Sequence, residues 1–95
     1  MIEEFADLPP RAYEEQVLIN CSHAALTYRH LWKKQDHDGV FAIDKKDMAN
    51  EFLEEPPTVM RRLRAICRLG LINIDETKHD IKVELVQWDQ DSEMN

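Results

Sequence analysis

Apolar residues recur at Tyr13, Val17, Cys21, Ala24, Tyr28 and Leu31, in steps of three and four that mark one face of a helix. Leu18, Ala25 and Trp32 run beside them, while Ile19 and Leu26 fall off that face. Pro9 and Pro10 open this segment, because proline costs little in the first turn of a helix. The spacing predicts either one helix of about 25 residues or two helices with a bend near Asn20 to Ser22. The rhythm stops at Gln35-Asp36-His37-Asp38-Gly39, and Val40-Phe41-Ala42-Ile43 then reads as a short buried strand.

Asp44 is suited to N-cap a second helix, from Lys45 to about Phe52, with Asp47 three residues further on and Met48, Ala49 and Phe52 facing inward. Leu53-Glu54-Glu55 forms a turn. A third helical stretch begins around Pro56 to Thr58 and runs to Leu69, where Gly70 supplies a left-handed cap. On this helix, residues 57 to 69, the positions Val59, Leu63, Ile66, Cys67 and Gly70 share one side. Arg61, Arg64 and Arg68 share the other, with Arg62 at the flank and Thr58 at the N-terminal edge. The remainder alternates like a β-hairpin: Leu71 to Asp75, a polar tip Glu76 to Asp80, then Ile81 to Val86 with Ile81, Val83 and Leu85 inward.

Charge sharpens this picture. The chain holds 12 basic and 19 acidic residues, a net charge of −7. Four of the arginines lie between Thr58 and Leu69, a stretch with no acid. Everything else therefore carries eight cations against 19 anions, a background of −11. Cation density of this kind on one helix face is what a phosphate-contacting surface requires, because nucleic-acid affinity responds to local contacts more than to net charge. The plainer alternative is a solvated face of an amphipathic helix.

At 95 residues and 43% hydrophobic composition the chain is expected to fold as one helix-rich domain. That domain spans residues 9–87, between an acidic lead-in, residues 1–8, and an acidic tail, residues 88–95, that contains Trp88, Asp89, Asp91 and Glu93. No apolar run reaches the ~20 residues a membrane span needs, and the first residues lack the basic and apolar regions of a signal peptide, so a cytoplasmic protein is expected. Cys21 and Cys67 lack metal-site spacing and are expected to be buried free thiols.

Candidate chemistry other than binding is sparse. If Gly39 is the sixth position of an EF-hand loop, Asp36 and Asp38 fill the third and fifth, but Lys34 and Lys45 occupy the first and twelfth, where carboxylates are needed. The loop is therefore read as a turn. His23, His30, His37 and His79 form no i, i+4 pair, and no nucleophile stands beside a base, so neither an enzyme nor a metal or other cofactor is expected.

The order helix, strand, helix, turn, basic helix, hairpin resembles a winged helix-turn-helix domain, mainly α with a small antiparallel sheet. The likeness is most specific between Met48 and Ile72: a small Ala49, the entry Pro56-Pro57-Thr58-Val59, then Leu63, Ile66 and Gly70-Leu71-Ile72. The resemblance implies double-stranded DNA as partner, with the basic helix in the major groove. By position it implicates Thr58, Met60, Arg61, Arg62 and Arg64 near the DNA and Arg68 on phosphate. Lys45 and Lys46 stand in for an acidic wing on the backbone, as could Arg29, Lys33 and Lys34. Two departures stand out: Leu53 or Glu54 occupies a turn where glycine is usual, and the hairpin tip, counted with Asp75 beside it, carries three acids against one lysine. A long N-terminal helix exceeds what a small core can cover, so pairing of two copies through it is expected. The implied function is a small DNA-binding regulator of bacterial, phage or plasmid type. The alternatives are a protein-interaction module whose arginines dock an acidic partner, and an acidic nucleic-acid mimic that occupies a basic channel.

Overall fold

The computed structural model describes residues 8–36 and 38–86. The lead-in before Leu8 and the acidic tail with Trp88 lie outside the described residues. Among those described are α1 (Arg11–Cys21), α2 (Ala25–Lys34), β1 (Val40–Asp44), α3 (Met48–Phe52), α4 (Pro56–Arg68), β2 (Ile72–Glu76) and β3 (Asp80–Leu85). The fold is α+β, with helices packed on a three-stranded antiparallel sheet of order β1-β3-β2.

The single long N-terminal helix is not formed. Cys21 leaves the helical region (φ −156°, ψ 71°), and a 3-10 turn, Ser22–Ala24, reorients the chain into α2. This is the bend that the apolar spacing left open as its second option. The turn brings α1 and α2 into contact with each other, so that the Arg29 guanidinium engages the Glu14 carboxylate through two nitrogens. Both halves can then bury the same stripe: Val17, Cys21, Ala24, Tyr28, Leu31 and Trp32 are all in the core. Leu18, expected beside this face through its seven-residue step to Ala25, is instead 49% exposed, because that step crosses the break; Ile19 and Leu26 are exposed, as their spacing requires.

Burial pushes the Tyr28 hydroxyl up to about 12, and the Trp32 indole, packed edge-on against it, acts in the opposite direction. Burial also raises the Cys21 thiol. Both cysteines are free thiols, but Cys67 is only partly buried.

The sheet closes between distant segments. Strand β3 lies at its centre, pairing Val83 with Phe41 on one side and Ile74 on the other, and Ile81 with Ile43 and Glu76. Ile81, Val83 and Leu85 point into the core, while Lys82 and Glu84 stay on the wet face, as the alternation requires. At the start of β1 the Asp36 carboxylate accepts from the backbone N–H of Asp38 at 2.9 Å and of Val40 at 3.1 Å. An Asx turn of this kind needs no ion to hold it.

Asp44 does act as a cap, accepting from the Lys46 N–H at 2.8 Å, but the turn it caps is a 3-10 segment, Lys45–Asp47, which runs into the five-residue α3. That tighter entry shifts the inward face. Met48 is buried and Phe52 packs on the core, whereas Ala49, expected inward, is exposed. Helix α4 begins at Pro56, with the N–H groups of Thr58 and Val59 donating to the Glu55 carbonyl, and ends as Gly70 takes φ 80°. A Cβ at Gly70 would meet nothing within 4 Å, so the demand there is for the left-handed backbone and not for space.

Between α3 and α4 Leu53 also takes a left-handed conformation, φ 60° and ψ 31°, where glycine is the favoured residue. Its side chain is 85% exposed and contributes little burial in return. Leu53→Gly is expected to raise stability by about 0.5–1 kcal/mol, the relief of backbone strain exceeding the added freedom of the unfolded chain. Urea denaturation checks this; a lower midpoint with unchanged slope would show that the turn does not strain Leu53.

Candidate nucleic-acid interface

Helix α4 is held by its apolar side. Val59, Leu63 and Ile66 are fully buried, and the helix touches α1, the Ser22–Ala24 turn, α2, α3 and β2. Packing on so many sides widens the buried arc beyond a single stripe, which decides the fate of Met60. It is 8% exposed and belongs to the core, whereas its position in the helix suggested a place near the DNA. Cys67 is half-buried and Gly70 exposed, although both were expected in the core.

Arg61, Arg64 and Arg68 all lie on the exposed side, as their spacing requires. The remaining members of the expected set differ in availability. Thr58 is half-buried at the first turn. Arg62 is drawn to the Glu54 carboxylate in the α3–α4 turn, and only 23% of its side chain is exposed. The N-cap turn before α3 exposes Lys46, whereas Lys45 is partly covered. Arg61, Arg68 and Lys46 have no carboxylate within 4.0 Å among the described residues. Arg29 and Lys34, both considered for backbone contact, face Glu14 and Glu51.

One residue overlooked in the sequence organises this surface. Glu76, at the end of β2, receives the Lys45 ammonium at 2.7 Å on one carboxylate oxygen and the Arg64 guanidinium at 3.6 Å on the other. The fold thus joins the turn before α3, the middle of α4 and the hairpin through a single acid. The hydrogen bond from Lys45, followed by the Lys45 charge and the weaker pull of Arg64, holds the Glu76 carboxyl below its ordinary range. No local spacing announces this cluster, because its members are 31 and 12 positions apart in the chain.

No group of three or more metal-ligating side chains occurs among the described residues. No helix among them is long and apolar enough to cross a membrane.

Because the folded-state Glu76 carboxyl is depressed, its pairing supports the fold at pH above the ordinary carboxylate range and is lost as pH falls through the depressed value. Lys45→Ala is expected to move the Glu76 midpoint upward toward the ordinary range, while Arg61→Ala leaves it in place. Carbon-detected NMR titration of the Glu76 carboxyl reads this directly, and an unchanged midpoint in Lys45→Ala would remove Lys45 as the main cause. No protein-family model, curated protein or solved structure matches this chain.

Proposed function

We propose that the protein is a small winged helix-turn-helix DNA-binding regulator that lays α4 into the major groove. The observation that carries this reading is the outward row Arg61, Arg64 and Arg68 on a helix whose opposite side is locked in the core. Such a helix presents cations with a fixed geometry and loses little freedom on docking. Element order and the pairing of β1 with the second strand of the hairpin support the winged-helix reading. Arg61 and Arg64 are the base-contacting pair in this reading, since an arginine fork matches guanine O6 and N7. Arg68 and Lys46 take phosphates, and Thr58 sits at the helix entry, where a hydroxyl donates to a phosphate oxygen.

Two copies are proposed to act together on a site with two-fold symmetry. Leu18, Ile19 and Leu26 support this, being 49%, 76% and 79% exposed close to the α1–α2 corner. Expected absences follow the same reading: no enzymatic activity and no cofactor.

A second reading, a winged-helix module that binds protein, is favoured by Glu76. This acid ties up Lys45 and Arg64 and gives the hairpin end a sign that repels phosphate. The same residue separates the two readings. In the DNA reading Glu76→Gln releases two cations and tightens binding about threefold or more at low salt, with the gain shrinking as salt rises.

The deciding experiment is selection from a random duplex DNA pool at low and moderate salt, with wild type beside a triple variant, Arg61→Ala, Arg64→Ala and Arg68→Ala. Wild-type binding should fall with salt. In the triple variant the salt slope should shrink by about 0.9 for each phosphate that is no longer neutralised, and the enriched sequences should disappear. A folded wild type that ignores the pool at low salt defeats the DNA reading and leaves the protein-binding one.

A further inference from the structure

The sheet has an open edge that the proposed DNA interface does not use. In an antiparallel pair, alternate residues turn their backbone N–H and C=O toward the partner strand. The Leu85 N–H donates to the Gly39 carbonyl at 2.8 Å, and the Lys45 N–H donates to the His79 carbonyl at 2.7 Å. With the register Phe41 to Val83 and Ile43 to Ile81, the odd-numbered positions of β1 therefore face β3. Val40, Ala42 and Asp44 face away. The groups of Val40 are already engaged: its N–H donates to the Asp36 carboxylate and its C=O accepts from the Asp36 N–H at 2.8 Å. Among the described residues Ala42 has no partner for either its N–H or its C=O.

Beside this edge lies a groove of about 440 Å³, walled by β1 residues 40 to 43 and flanked by Lys34, Asp36 and Glu51. The strand carries no lysine, no proline and no bulge, the devices that ordinarily close an edge against pairing. Phe41 does not compete for the groove, because its ring is packed against His30 and Phe52.

We propose that β1 receives an extended basic peptide of a partner protein, which adds as a fourth strand hydrogen-bonded to Ala42. Charge selects this occupant. Asp36, Asp44 and Glu51 lie along the edge, and Asp80 and Glu84 stand across β1 from Asp44 and Val40, against Lys34 and the Lys82 opposite Ala42; Lys34 already lies 4.0 Å from Glu51. A second copy of β1 would add its own acids to the same seam, whereas lysines or arginines of a peptide bring the opposite sign to it. Main-chain bonds supply affinity in this mode and the flanking carboxylates supply selectivity. The chain's net charge of −7 attracts such a partner before contact.

The test uses a synthetic hexapeptide alternating lysine and valine, its glutamate–valine counterpart, and the lysine–valine peptide N-methylated at every amide. Binding of the first should slow exchange of the Ala42 amide and shift the Ala42 and Asp44 resonances, while the other two bind at least about tenfold more weakly. Ala42→Pro removes the outward donor without breaking a bond to β3 and should weaken the lysine–valine peptide to the same extent. Should that variant fail to fold, the N-methylated peptide decides on the wild-type protein. Equal binding of the N-methylated or the glutamate peptide, shifts that map elsewhere, an edge filled by a second copy, or no binding by any peptide each overturns the proposal.

Discussion

The burial of one side of α4 is the constraint on which the rest of this molecule turns. Val59, Leu63 and Ile66 have no exposure at all, and side chains of this size contribute about 1.5–3 kcal/mol each when fully withdrawn from water. Their removal from solvent fixes the rotation of the helix about its axis, and rotation fixes which way Arg61, Arg64 and Arg68 point. The bent N-terminal pair, α1 and α2, completes the pocket that receives them. A straight N-terminal helix could not, since one rigid rod cannot present both Val17 and Leu31 to so small a core.

Much of this was legible in the sequence because it rests on period. The stripe Val17, Cys21, Ala24, Tyr28 and Leu31, the alternation Ile81, Val83, Leu85 and the cap at Gly70 are local signals, and each appears where its spacing puts it. What escaped is non-local. Met60 looked accessible because a helical wheel assumes one buried stripe, and α4 has neighbours on several sides. Leu18 and Ala49 were misplaced because a helical face was continued through segments where the backbone departs from α geometry, at Cys21 and at the 3-10 turn after Asp44. Glu76 was counted only as an unfavourable acid at the hairpin, whereas the fold makes it the meeting point of Lys45 and Arg64.

Those ion pairs also change how the charge of α4 should be understood. Four arginines on one helix suggest a uniform cationic surface, yet Glu54 engages Arg62 and Glu76 engages Arg64. The field is therefore strongest at the two ends of the row, Arg61 and Arg68, and weakest at its centre. Any phosphate that approaches Arg64 must compete with a carboxylate already in place, an exchange that costs little between solvated groups but makes the contact conditional on what else the ligand offers.

The position of β3 carries a consequence for how the chain acquires its structure. The last described strand is the middle one, and among the described residues β1 and β2 pair only with it. During synthesis no part of the sheet can form until residues 80 to 85 have left the ribosome, although the helices can collapse much earlier. Val40 must then wait for Glu84, 44 positions later, so the sheet closes as one late event with a large loop-closure cost. Nascent chains halted before that point leave the backbone edges of β1 and β2 unpaired, and chaperones would meet them in that form.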